Sequence, residues 1–255
     1  MKQCFYLPIA FFICLLCSCN GSFKSEDNVK DTIVVHDTVL YHPNDTIRFN
    51  IPCKVMNYNM DKPGKALLII WLHGGITVTP QWTSMLDYED YFRYPHADEY
   101  IAETLQEMGE KAVFLLPICH HSEKHPCRSW NDCAIDVKTI IDDYIHSGEV
   151  DEKRIYLTGS SDGGRGVWDL VCRYPHYFAA AMPLSIAPGK ELNDSTPIYW
   201  NTTLDEGDRT ALYNEYKHKN PNIHYQHHPN LHHGQDEIVL SWKNYMNDFL
   251  SNKRK

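Results

Sequence analysis

A doubly wound α/β sheet, mostly parallel with helices on both faces, is the fold class this sequence predicts, on three observations. Uninterrupted apolar runs at residues 65–72 and 111–118 have the composition of strands buried on both faces of a parallel sheet. Helical periodicities alternate with such runs through short connections. A Gly-x-Ser-x-Gly turn, Gly159-Ser160-Ser161-Asp162-Gly163, joins a β-rich run to a helical one.

In chain order, residues 31–40 are strand-like and residues 65–72 form the first core strand. Residues 97–108 carry helical spacing and stop at Gly109, a residue suited to the left-handed end of a helix. The next strand, residues 111–118, contains Pro117. Residues 133–146 place Ile135, Ile140, Ile141, Tyr144 and Ile145 on helical spacing. The strand entering Gly159 and the helix at residues 165–174 follow. Strands are expected at 178–186, 197–203 and 223–227, with helices at 210–219 and 237–250. In such a sheet ligands bind beyond the carboxyl ends of the strands.

The N-terminal residues read as a targeting segment. Lys2 precedes an apolar stretch at residues 5–16, too short to span a bilayer comfortably. Leu16 and Ser18 lie three and one residues before Cys19, the spacing of a bacterial lipobox, which makes Cys19 a lipidated first residue and a membrane anchor. The expected organisation is a signal peptide at 1–19, a polar tether and strand-like lead-in at 20–45, and one domain at 46–255. The chain is expected to be exported, as an envelope lipoprotein or, unlipidated, as a periplasmic or secreted protein. A formal charge of −9 without a lysine or arginine cluster argues against nucleic-acid binding. Beyond Cys19 the cysteines are Cys53, Cys119, Cys127, Cys133 and Cys172. In an oxidising compartment some should pair; Cys127 with Cys133 braces the loop between them, and Cys119 competes.

The Gly-x-Ser-x-Gly turn has the context of a nucleophile elbow, which presents Ser161 at the end of a strand. A serine hydroxyl needs a base, usually a histidine oriented by a carboxylate. After the last expected strand, the turn at residues 228–234 contains His232 and His233; His233, beside Gly234 and the helix entry, is the expected base and His232 the alternative. The loop after the strand at 197–203 supplies Asp205, Glu206 and Asp208, and the acid is Asp205 or Glu206. His73-Gly74-Gly75 ends the first core strand, so the N–H of Gly75 and that of Asp162 are the expected oxyanion-hole donors.

Together His73-Gly74-Gly75, Pro117, Trp130, residues 154–169 and residues 173–181 resemble the secreted esterase branch of the α/β-hydrolases. That branch includes feruloyl and acetylxylan esterases, polyhydroxybutyrate depolymerases and dienelactone-hydrolase-like proteins. The resemblance spans about residues 48–250. It implies an α/β-hydrolase fold, a serine carboxylesterase with Ser161 as nucleophile and His233 as base, no cofactor, and a small ester or acylated polysaccharide, acetyl or feruloyl, as substrate. Two positions depart from it. Asp162 stands where the family usually has an apolar residue, and Thr202-Thr203 where it usually has His-Gly; counting from there puts Glu206 in the acid's place. These departures motivate a second reading, a weakened relative that binds a ligand or partner at the cell surface.

A zinc reading of the histidines (His120, His121, His125, His224, His227, His228, His232, His233) lacks a His-Glu-x-x-His helix, and Pro229 breaks helical spacing, so no metal is expected. Trp71 and Trp168 sit in core patterns. Trp130, in a loop near the expected cleft, is the candidate for substrate contact.

Overall fold

The computed structural model describes residues 29–35, 51–75, 97–119, 129–189, 192 and 195–254. The expected signal peptide, Cys19, most of the tether, and Cys127 lie outside them. One eight-stranded sheet organises the described chain: β1 (Val29–Val35), β2 (Pro52–Tyr58), β3 (Ala66–Leu72), β4 (Ala112–Pro117), β5 (Val150–Ser160), β6 (Ala180–Leu184), β7 (Ile198–Thr203) and β8 (Ile223–His228). Their spatial order is β1-β2-β4-β3-β5-β6-β7-β8. The β1–β2 and β2–β4 pairings are antiparallel and all the others parallel. β1 falls in the stretch read as a lead-in and pairs along its whole length with β2.

The period-two geometry of β3 explains why an uninterrupted apolar run was needed there. Ala66, Leu68, Ile70 and Leu72 join one buried cluster, and Leu67, Ile69 and Trp71 the other. β4 divides in the same way, with Val113 and Leu115 on one side and Ala112, Phe114 and Leu116 on the other. Among the described residues five helices cover the two faces: α1 (Ala97–Met108), α2 (Ala134–Ser147), α3 (Asp162–Arg173), α4 (Thr210–Lys219) and α5 (Gln235–Ser251). The first face is sealed by Val137, Ile140 and Ile141 of α2, Val167, Leu170 and Val171 of α3, and Tyr216 of α4. Ile101 and Leu105 of α1, with Trp242, Phe249 and Leu250 of α5, seal the second. Helices therefore lie on both faces of a largely parallel sheet. Among the described residues no helix is long and apolar enough to cross a membrane.

Burial of a large apolar side chain contributes about 1.5–3 kcal/mol, so these two layers fix the sheet firmly. The strand ends inherit that rigidity. β5, β6, β7 and β8 all run parallel, so their carboxyl ends open on one edge, and the loops following them carry the residues of interest.

Candidate active site

Ser161 follows β5 directly and precedes α3, with φ 60° and ψ −122°. This backbone conformation is uncommon for a non-glycine residue and marks strain held by its surroundings. The Ser161 N–H donates to the Leu184 carbonyl at 3.1 Å, and its own carbonyl accepts from Arg165 N at 3.0 Å. Gly163 is required because any Cβ there would collide with the backbone of Leu72 at the end of β3. A Cβ on Gly74 would lie 2.9 Å from Ser161 Cβ, so the turn after β3 packs directly over the serine.

That turn is braced by its own histidine. His73 is buried; the Cys119 N–H donates to His73 Nε2 at 3.0 Å. A backbone N–H only donates, so Nε2 is unprotonated and Nδ1 carries the hydrogen, which it donates to the Gly74 carbonyl at 2.8 Å. Gly75 follows in a left-handed conformation, φ 69°. Asp162 opens α3, where backbone N–H groups and the helix dipole favour negative charge. Its carboxylate turns to Arg165, Oδ1 to Nη1 at 3.3 Å, an interaction that offsets the negative charge the sequence places beside Ser161.

Trp130 does not take the role expected of it. Its ring is 1 % exposed, packs beside Gly166 of α3, and stands edge-on to His73 at 5.0 Å. Its single polar hydrogen, on Nε1, goes to the His73 carbonyl at 2.9 Å. Trp130 is thus a buried brace for the His73 turn rather than a substrate contact. The same corner holds two thiols: Cys133 Sγ lies 3.2 Å from Cys119 Sγ.

Glu206 and His233 meet across the loops after β7 and β8. His233 Nδ1 is 2.6 Å from Glu206 Oε1. The other carboxylate oxygen, Oε2, accepts from Thr203 N at 2.8 Å and Thr203 Oγ1 at 2.7 Å. Burial works to raise the Glu206 carboxyl, but the bonds from Thr203 and His233 outweigh it and hold the group below the usual glutamate range. Asp205 does a different job. Its Oδ2 accepts the backbone N–H of His233 at 2.6 Å, and its Oδ1 lies 3.1 Å from Nδ1 of His232. Those bonds, from the His233 backbone first and His232 second, hold the Asp205 carboxyl low. The side chain of Glu206 is 12 % exposed against 45 % for Asp205, and that of His233 36 % against 76 % for His232. Geometry therefore pairs Glu206 with His233 as the less exposed acid–imidazole couple, with Asp205 fixing the loop. Among the described residues neither the Ser161 hydroxyl nor His233 Nε2 makes a hydrogen bond.

The remaining histidines are occupied locally. His224 stacks on Tyr199 at 4.8 Å, His227 Nδ1 is 3.0 Å from Thr202 Oγ1, and His228 Nε2 is 3.4 Å from Ser241 Oγ. His120, His121 and His125 lie outside the described residues. Sequence reasoning missed His73 and Thr203 as supports. For Thr203 a signal existed: a core strand ending in Asn201-Thr202-Thr203, all fully buried, needs polar partners.

Comparison of the sequence with protein-family models and with curated proteins finds no match. Solved structures do resemble it. A thermostable esterase superposes with a TM-score of 0.60 at 19 % identity, over 87 % of this chain and 63 % of that one. An S-formylglutathione hydrolase from Agrobacterium tumefaciens gives 0.59 at 13 %, over 88 % and 96 %. Est1E from Butyrivibrio proteoclasticus, with ferulic acid bound, gives 0.55 at 14 %, over 79 % and 97 %. The chain thus has the α/β-hydrolase fold. That fold is shared with esterases and related hydrolases, and the chain spans less than two thirds of the thermostable esterase's length.

Proposed function

We propose that the protein is a serine esterase in which Ser161 is the nucleophile, His233 the base and Glu206 the acid. The observation that carries this reading is the 2.6 Å Glu206–His233 bond, made at the strand-end edge where Ser161 sits on its strained turn. Ser161 Oγ attacks the ester carbonyl as His233 Nε2 takes its proton, and Glu206 balances the imidazolium charge. The developing oxyanion accepts from the N–H groups of Asp162 and Gly75, each worth about 3 kcal/mol in the transition state. His233 returns the proton to the leaving alcohol. Water, deprotonated by the same imidazole, then releases the acid from Ser161.

Acetyl or feruloyl esters of polysaccharide are the proposed substrates, in keeping with the secreted-esterase motifs and with the likeness to a ferulic-acid-bound esterase. Export with a lipid anchor at Cys19 places the enzyme where such polymers are met. The test is turnover of p-nitrophenyl acetate and methyl ferulate by the wild-type protein and by Ser161→Ala. Hydrolysis lost by about 10⁴-fold or more in the variant supports the reading. Equal rates in both proteins contradict it.

One observation favours a second reading, a weakened relative that binds rather than cleaves: among the described residues, the Ser161 hydroxyl and His233 Nε2 make no hydrogen bond. Catalytic hydrogen bonds often tighten only when substrate is bound, so the first reading stands ahead. Saturable binding of acylated sugars without turnover would support the second.

A further inference from the structure

Glu237 is fully buried in the first turn of α5, four residues beyond His233, and the mechanism above does not use it. A lone carboxylate is costly to bury, so its contacts reveal its role. Glu237 Oε1 shares a hydrogen bond with Ser185 Oγ, and Oε2 accepts from Asn201 Nδ2 at 2.6 Å. Asn201 Nδ2 also reaches Ser241 Oγ at 2.5 Å, and Asn201 Oδ1 accepts the Ser185 N–H at 2.6 Å. Ser241 Oγ in turn approaches His228 Nε2, at 3.4 Å.

Each partner leads to a different part of the site. Ser185, at φ 53°, follows Leu184, whose carbonyl receives the Ser161 N–H. Asn201 stands two residues before Thr203, which holds Glu206. His228 ends β8, and the loop from there to Glu237 carries His233.

We propose that Glu237 is a positioning residue: through Ser185 and Asn201 its carboxyl ties together the three segments that bear Ser161, Glu206 and His233. The proposal rests on the esterase reading for its effect on rate. Burial, with repulsion from Glu206 as a smaller cause, pushes the carboxyl up to about 8, so at neutral pH the group holds its proton. A neutral acid presents a donor on one oxygen and an acceptor on the other; a glutamine amide likewise presents a donating group, its NH2 with two hydrogens, beside an accepting oxygen, and would donate to Ser185 and accept from Asn201.

The test compares Glu237→Gln and Glu237→Leu in the full chain by two measurements. In Glu237→Leu, kcat for p-nitrophenyl acetate is expected to fall about 100-fold, the scale of an ångström-sized misplacement, with KM unchanged. Amide hydrogen exchange should accelerate in the elbow (residues 158–165), the acid loop (201–208) and the base loop (228–236), but not in α2. Glu237→Gln should restore both rate and protection. Wild-type exchange in those three segments of Glu237→Leu would overturn the proposal, even with reduced activity. If Glu237→Leu does not fold, Ser185→Ala takes its place: faster exchange confined to the elbow and base loop supports the proposal, and unchanged exchange overturns it. Absence of turnover in the wild-type protein would sink the esterase reading alone, and the exchange comparison would still decide the role of Glu237.

Discussion

Ser161 holds a backbone conformation that costs a non-glycine residue about 1–3 kcal/mol, and the elbow compensates by close packing of the Leu72 and Leu184 strand ends against it. The division of labour between adjacent carboxylates is decided at the same scale. Glu206→Gln is expected to lower kcat by about 10³- to 10⁴-fold, because it removes the charge that orients and balances the imidazolium. Asp205→Asn keeps an acceptor for the His233 N–H and should stay within about tenfold of wild type, the worth of one charge-assisted bond. His233→Ala should lose activity by about 10⁴-fold, while His232→Ala remains near wild type. Steady-state kinetics on the four variants checks this, and the reverse order within either pair would contradict the assignment. Sequence spacing could single out Ser161 and the two candidate histidines because the elbow and the last loop are defined by neighbours in the chain. It could not separate Asp205 from Glu206, since which of two consecutive turn residues faces the imidazole depends on the turn's conformation.

Among the elements, β3 and β4 were legible because burial on both faces leaves an unbroken apolar run, and β5 because its buried second half leads into the Gly-x-Ser-x-Gly turn. β2 was missed: Cys53 and Val55 alternate with Lys54 and Met56 across a short antiparallel strand, and Asn57 and a leading Pro52 obscure the period. Trp130 was misread because its burial comes from α3, through Gly166, and not from its own segment. The expected bridge between Cys127 and Cys133 involves a residue outside the described ones, whereas Cys119, at the exit of β4, is in contact with Cys133 at the entry to α2. In glutathione buffer, with glutathione disulfide accepting the two electrons, a Cys119–Cys133 cross-link is expected and should show in peptide mapping under non-reducing conditions. Closing a loop of that size stabilises a fold by about 3 kcal/mol. A linkage through Cys127 instead, or no linkage, would contradict the pairing.

For the whole molecule, Glu206 and Glu237 make opposite demands on pH. Glu206 is held low, so the stability it contributes is present above its ordinary value of 4.5 and is lost as pH falls through its folded value. Glu237 is raised from 4.5 to about 8; the folded state binds the extra proton across that window, and the stability from it is lost as pH rises through the window. Glu237→Gln, which has no proton to lose, should therefore flatten the decline in stability between these pH values. Urea unfolding of both proteins at several pH values measures it, and parallel curves would show that Glu237 titrates normally. The central claim, an activated serine on this fold, is tested most directly by labelling the purified protein with a fluorophosphonate probe and reading intact mass beside Ser161→Ala. One adduct per chain, absent from the variant, is the predicted result. A folded wild-type protein that takes up no probe would contradict the account and favour the binding reading.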